Sequence, residues 1–181
     1  IITKKAKLIL LFNRKNSIFF MDKMLSLEEK ELKGFKIRTE MYGLYYSSKY
    51  KTLEYKTSYG QEFMVNIPKY KWSISAKTKK IGNYNCFRAT TIKEVENSKG
   101  KHQIKITAWF TPDIPFNYGP KEFNGLPGLI LELNQGEDLF FRLKELKENV
   151  KIKIKKPTKG KNISLKEFNS LSKKMYENRS N

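Results

Sequence analysis

Residues Thr107 to Leu133 constrain the fold of this chain more than any other stretch, because they hold four of its six prolines and three of its ten glycines. These are interleaved with Trp109, Phe110, Phe116, Tyr118 and Phe123. Proline fixes φ and removes a backbone donor, whereas glycine opens positive φ, so their alternation among large apolar side chains dictates one backbone path. Such a segment reads as an ordered, partly buried crossover rather than a linker. At its centre is Gly125-Leu126-Pro127-Gly128-Leu129-Ile130.

On either side the sequence reads mostly as strands. Ala6 to Phe12 and Ser17 to Met21 are apolar runs separated by the polar Asn13-Arg14-Lys15-Asn16, a hairpin pattern. Met24 to Leu32 has helix-forming composition and stops at Lys33-Gly34, a C-cap pair. From Phe35 the period becomes two, with Phe35, Ile37, Thr39 and Met41 alternating with Lys36, Arg38 and Glu40, and the same texture returns at Leu53, Tyr55, Phe63, Val65 and Ile67. Turns are expected at Ser47-Ser48 and Tyr59-Gly60. Strands over Lys71–Ala76 and Cys86–Ile92 flank a turn at Ile81-Gly82-Asn83, and His102 to Phe110 alternates again after Gly100.

Beyond the crossover, Leu129 to Leu133, Leu139 to Leu146 and Val150 to Ile154 are expected to return as strands, the first two joined by a turn over Asn134 to Asp138. Lys151-Ile152-Lys153-Ile154-Lys155 alternates strictly, and outward lysines of that kind discourage edge pairing. Pro157 to Lys161 breaks the sheet. Ser164-Leu165-Lys166-Glu167 is a capping box opening an amphipathic helix on Leu165, Phe168, Leu171 and Met175. The expected fold is mainly β, a curved antiparallel sheet or incomplete barrel of roughly ten strands with a C-terminal amphipathic helix. At 181 residues the chain fits a single mainly-β domain over 1–181, with 157–181 as its helical appendage.

Charge suggests partners but does not choose one. The formal net charge is +19, from 37 Lys and Arg against 18 acidic residues. An excess of that size attracts nucleic acid, anionic membrane or acidic proteins. Nearly all of it is lysine, however, and only Arg14, Arg38, Arg88, Arg142 and Arg179 offer the planar fork suited to phosphate or guanine. A solvated Lys-rich surface is the plainer reading, since A+T-rich coding produces the same composition. Tyr42 to Tyr70 interleaves tyrosines with Lys49, Lys51, Lys56 and Lys69, the texture of a stacking platform, but the RNP pattern is absent.

The inventory for catalysis is thin. Cys86 is the sole cysteine, so no intramolecular disulfide or thiolate cluster can form. It could pair with His102, the sole histidine, as nucleophile and base only if two strands brought them together. No nucleophile elbow, phosphate loop or H-E-x-x-H occurs. Asn134, Glu137 and Asp138 lack the order of a calcium hand. Glu40, Glu62, Asp113, Glu122 and Glu132 are the carboxylates a hydrolase would draw on, with no spacing to favour a pair. No catalytic residue, metal ligand or cofactor is therefore assigned.

The crossover is the candidate binding surface, because functional residues concentrate on loops held by rigid scaffolds. Trp109, Phe110, Ile114, Pro115, Phe116, Tyr118 and Leu126 would line the site, while Gly119, Pro120, Gly125, Pro127 and Gly128 would set its backbone. The competing reading is that these side chains merely plug one end of the sheet.

Gly125-Leu126-Pro127-Gly128-Leu129-Ile130 is letter for letter the signature of the GLPGLI family of Bacteroidetes proteins. The upstream Ala108-Trp109-Phe110-Thr111-Pro112, Ile114-Pro115, Gly119-Pro120 and Phe123 resemble that family's pattern, as do Trp72, Ile81-Gly82, Tyr84, Cys86 and Ala89-Thr90. The resemblance covers about Lys71 to Leu133 well and the flanks more loosely. The N-terminal portion is short against the pattern, lacking an opening strand and signal, and Met24 to Gly34 has no clear counterpart in it. The resemblance implies export, because family members typically carry an export signal, and it transfers no catalytic residue. Lys4-Lys5 before Leu8 to Phe12 is too short for a signal peptide, so the chain, opening with Ile1, reads as a processed product or a fragment. No apolar run approaches a membrane-spanning helix, leaving a soluble or peripherally attached protein as the expectation. The expected role is that of an exported protein of the periplasm or inner face of the outer membrane. There it would act as a non-catalytic binding or accessory protein for an apolar or peptide-like ligand or for an outer-membrane β-barrel partner, with peripheral membrane contact. The alternatives are an envelope hydrolase using acidic residues and a basic nucleic-acid-binding protein.

Overall fold

The computed structural model describes residues 7–22, 28–97, 100–148, 150–151 and 153–178. The chain is mainly β, with a helix near its C-terminus as expected, and its strands divide between two open sheets. The first sheet begins with β1 (Lys7–Phe12) and β2 (Asn16–Asp22), joined where the Asn13 side chain accepts from the amides of Lys15 and Asn16. After α1 (Glu29–Thr39) it continues with β3 (Gly43–Ser48), β4 (Thr52–Ser58) and β5 (Gln61–Ile67) in an antiparallel meander. Ser58 pairs with Gln61 across Tyr59 and Gly60, both at positive φ, which is the two-residue turn whose twist suits a hairpin.

Pro68, which has no amide to donate, follows Ile67 and releases the chain to the second sheet. There β6 (Ser73–Ile81), β7 (Tyr84–Asn97) and β8 (Gly100–Thr111) form a meander, and β9 (Leu129–Gln135) and β10 (Leu139–Arg142) extend it after the crossover. The chain then returns to the first sheet as β11 (Lys161–Ser164), which pairs parallel to β5 and leads into α2 (Leu165–Glu177).

Alternation places Ser17, Phe19, Tyr45, Ser47, Glu54, Val65 and Phe63 on one face of the first sheet. Ala89, Ile106, Ala108, Phe110 and Leu133 share one face of the second, with Phe87 and Phe141 packed against them. These faces meet, as Phe19 and Phe141 show with ring centroids 6.2 Å apart. The far end of the first sheet is closed by α2, whose Phe168 stacks edge-on against Phe63 at 5.3 Å.

Several expectations are corrected. Phe35 to Thr39 is the second half of α1, not a strand, and Gly34 lies inside the helix rather than capping it. Period-two alternation identifies a strand only where one face is buried, and no residue of α1 is buried. Acidic residues in its first turn and basic residues in its last favour the helix, and Glu40 caps it at positive φ. The opening residues of the expected helix, Met24 to Leu27, lie outside the described residues, as do Ala6, the first residue of the expected opening strand, and Ile152. Of the expected strand Leu139 to Leu146 only Leu139–Arg142 forms, and the described residues of Val150 to Ile154 belong to no strand. Finally, the sheet resumes after Gly160 where a break was expected.

The capping box forms as the sequence specifies. Ser164 Oγ accepts from the Glu167 amide at 3.2 Å, and Glu167 Oε2 accepts from the Ser164 amide at 2.9 Å. Ser164→Ala should therefore cost about 1 kcal/mol while Ser164→Asp costs little. Denaturant unfolding of both variants checks this, and equal losses would show that the cap does not hold α2.

Candidate functional site

The crossover spans residues 112–128, between β8 and β9, and is laced by its own backbone. Leu129 N donates to Ile114 O at 3.0 Å, Ile130 N to Tyr118 O at 2.9 Å, and Gly125 N to Asn117 O at 2.9 Å. Short turns at Ile114–Phe116, Phe116–Tyr118 and Leu126–Gly128, each closed at 2.8 Å, fold the segment back on itself. Trp72 Nε1 donates to Asn124 O at 2.9 Å, and Asn124 Nδ2 donates to Thr52 Oγ1 at 2.8 Å and Ser47 Oγ at 3.2 Å. One asparagine thus ties the crossover to the first sheet and to the residue that leads into β6.

The candidate lining residues separate into two groups. Phe110 and Leu126 are buried in the core between the sheets with Phe123. Ile114 and Tyr118 are buried in a second cluster with Cys86, Leu129 and Leu131, against which Trp109, Phe116, Leu10 and Phe12 pack. Trp109 is half-buried, with Lys79 Nζ over its ring at 4.4 Å, and Phe116 is half-buried 5.1 Å from Phe12. Pro115 is exposed, together with Pro112, Asp113, Asn117, Gly125 and Pro127. The apolar side chains fill the end of the structure and the polar and proline residues form its outer rim.

Two glycines permit this packing by lacking a side chain. A Cβ on Gly128, at φ 155°, would lie 2.1 Å from Thr111 O, and one on Gly119 would meet Phe123 O and Ile130 Cδ1 at 2.7 Å. Gly125 takes φ 91° facing open space, and Pro120 is buried, its carbonyl accepting from Phe123 N at 3.2 Å.

Sequence reasoning missed the charged core that the crossover carries. Lys121, 2 % exposed and at φ 57°, donates to Glu40 Oε2 at 2.9 Å and Gln135 Oε1 at 3.2 Å. Gln135 donates to the same Glu40 oxygen at 2.6 Å. Beside it, Lys93 of β7 pairs with Glu122 at 3.0 Å and with Glu40 at 3.6 Å. Glu54 accepts from Tyr45 and, at 2.9 Å, from Lys56. The signal was present, since Lys121-Glu122 is a charged pair set between Pro120 and Phe123 in an otherwise apolar run.

These partners govern the ionisation. Burial alone would raise the Glu40 carboxyl, but Lys121, Gln135 and Lys93 outweigh it and hold the group at about 2. Glu122 is likewise lowered, its burial opposed by the charges of Lys121 and Lys93. Burial pushes the Tyr45 and Tyr70 phenols up, and the carboxylates around them push further. The network therefore holds charged carboxylates and neutral phenols at neutral pH. An acid–base pair for glycoside hydrolysis needs one carboxyl held protonated, and Glu40 and Glu122, though close together, are both lowered.

The remaining candidates do not converge. His102 pairs with Val95 across the β7–β8 ladder, whereas Cys86 lies nine positions further along β7, about 30 Å away at 3.3 Å per residue. Burial also raises the Cys86 thiol, against the opposing charge of Lys79. Glu132 is buried between Lys79 and Arg142, whose guanidinium approaches it at 3.1 Å. No group of metal-ligating side chains is found among the described residues. Away from the crossover, a polar groove of about 390 Å³ lies between Glu96 of β7 and Asn169, Ser170, Lys173, Lys174 and Glu177 of α2.

Residues 72–103 and 96–132 match the model of a family described as "Protein of unknown function (Porph_ging)". The match covers about a third of the chain, from the anchoring Trp72 through the crossover to the buried Glu132, which is the region that carries the sequence resemblance. No curated protein and no solved structure matches the chain.

Gly128→Ala should destabilise the fold by about 2–4 kcal/mol, because its Cβ meets backbone that has no rotamer to yield. A thermal melt within a degree of the parent would show that the crossover can shift. Glu40 has a depressed folded value, so its contribution is present above the ordinary carboxylate range and is lost as pH falls from 4.5 towards about 2. Glu40→Gln should thus flatten the acid limb of stability across that window while changing the pH dependence above it little. Superimposable acid titrations of parent and variant would remove Glu40 from the account.

Proposed function

We propose that this chain is a non-catalytic binding or accessory protein of the cell envelope, related to the GLPGLI proteins, and that the rim of the crossover receives a partner protein. The observation that carries this reading is the division of the crossover into a fixed inner half and an outer half. The inner half, with Phe110, Ile114, Tyr118, Phe123 and Leu126, is packed into the cores. The outer half presents Pro112, Asp113, Pro115, Asn117 and Pro127 on a backbone held by cross-laced hydrogen bonds. A rigid exposed loop loses little entropy on docking, which favours recognition of a folded partner. The apolar side chains are committed to one another, so a partner surface suits this geometry better than a small apolar ligand inside the sheet. The envelope location is supported by the resemblance of Lys71 to Leu133 to a family whose members are typically exported.

Native mass spectrometry of the protein purified from its own envelope, beside a Pro115→Arg/Asn117→Arg variant, tests the reading. A stoichiometric partner protein that is retained by the parent and lost by an equally stable variant is the expected result. Equal retention by both forms, or recovery of the parent from the cytoplasm, would overturn it. A bound apolar small molecule would return the assignment to a ligand carrier.

A further inference from the structure

Two open sheets have four edges, and an edge strand exposes backbone groups that will pair with any suitable chain unless something prevents it. Three edges here carry such a device. β6 is irregular between Ile74 and Thr78 and carries Lys77, Lys79 and Lys80. β10 and β11 are only four residues long, and β11 opens with Lys161 and runs directly into α2.

The fourth edge, β1, carries little protection. Lys7–Phe12 reads Lys-Leu-Ile-Leu-Leu-Phe, with one charge, no proline and an unbroken six-residue register against β2. Among the described residues, it pairs with β2 alone. Its side chains are half-buried on both faces from Leu8 to Phe12. Leu8 and Leu10 pack with Phe19, Met41 and Tyr45, and Phe12 packs on Phe116 of the crossover. Ile9 and Leu11 lie on the opposite face, across from Phe20 and Ile18. An added strand would lengthen both apolar faces at once.

We propose that β1 is a strand-acceptor edge, completed by an extended apolar segment of a partner protein flanked by acidic residues. Charge selects this occupant over a second copy of the chain. Two-fold antiparallel pairing of β1 with itself would bring Lys7 of each copy towards the exposed Arg14-Lys15 turn of the other, between molecules each of net charge +19. An acidic-flanked strand instead places carboxylates near Arg14 and Lys15 at one end, while at the other Lys7 already faces Asp22 of β2, so the cationic turn supplies most of the selection. Backbone pairing would supply the affinity and the flanking charge the direction. This edge is a different surface from the crossover rim, and the inference stands whether or not that rim binds a partner.

The probe is a fluorescein-labelled peptide, Asp-Glu-Val-Thr-Val-Thr-Val-Glu-Asp, followed by fluorescence anisotropy with the full chain. Binding should be at least tenfold tighter than for the same core flanked by lysines. N-methylation of alternate amides along the edge used for pairing should abolish it. Hydrogen exchange should show new protection over 7–12, and Leu11→Lys, which places a gatekeeping charge on the outer face, should weaken binding at least tenfold. The peptide arms need no variant, so a Leu11→Lys protein that fails to fold leaves them decisive. No binding at millimolar peptide, equal binding of both flanks, or protection mapping to β6 or β10 would overturn the proposal. A dimer in sedimentation that is lost in Leu11→Lys would also overturn it, assigning the edge to a second copy.

Discussion

The two sheets depend on a lysine that lies almost wholly out of water. Lys121 sits in left-handed backbone, which costs a non-glycine residue about 1 kcal/mol or more, and its ammonium must be compensated inside the core. The compensation comes from parts of the chain far apart in sequence. Glu40 ends α1, Gln135 ends β9, and the adjacent Glu122 is met by Lys93 from β7. Each partner is correct only if the crossover, the helix and both sheets adopt their observed positions together. A buried pair of this kind is a weak source of net stability but a strong filter against alternatives, since any slip leaves a charge unpaired in a dry site. α1 shows the effect most plainly. It buries no residue of its own, so its end is positioned by Glu40 and by Met41, which packs with Phe19 and Tyr45.

That dependence gives the crossover its form. Prolines and glycines define a path, but a path alone does not hold two sheets together. Gly128 lets β9 start against the end of β8, and Gly119 lets the returning loop lie on Ile130, so the segment can reach back over its own origin. Lys121 and Glu122 then enter the space between the sheets, and Asn124 bonds to Ser47 and Thr52 on the opposite sheet. The aromatic residues follow as filling. The backbone of this plug is cross-laced by hydrogen bonds on the inside, and the outer prolines are carried on that same backbone.

Much of this was legible in the sequence where a local rule decides the outcome. The hairpins about Tyr59-Gly60 and Gly82-Asn83, the capping box at Ser164 and the ordered crossover each follow from a few adjacent residues. The failures share a physical cause. Phe35 to Met41 alternates as a strand would, but alternation measures burial on one face, and this segment is held by a distant salt bridge instead. Lys151 to Lys155 alternates equally well, yet its described residues join no strand. β11 is the converse case, a short segment made a strand by the neighbouring β5 rather than by its own composition. The charged core was hard to read because the sequence does not say which of 37 basic residues lies inside. Only Lys121-Glu122, out of place beside Phe123, marked the spot.

The distribution of the remaining charge is then informative. Interior lysines are matched, Lys121 and Lys93 by Glu40 and Glu122, and Lys56 by Glu54. Matched pairs cancel, so the excess of +19 belongs to lysines and arginines outside these pairs. Lysines guard the bulged edge at β6, and the connection between β10 and β11 carries several more. A surface so charged resists association with copies of itself and with other basic proteins, and it draws acidic ones. Against that background the apolar β1, with the cationic Arg14-Lys15 turn at one end and the Lys7–Asp22 pair at the other, fits the strand-acceptor edge proposed above. On that proposal the net charge would turn basic chains away from the edge and favour those of the opposite sign.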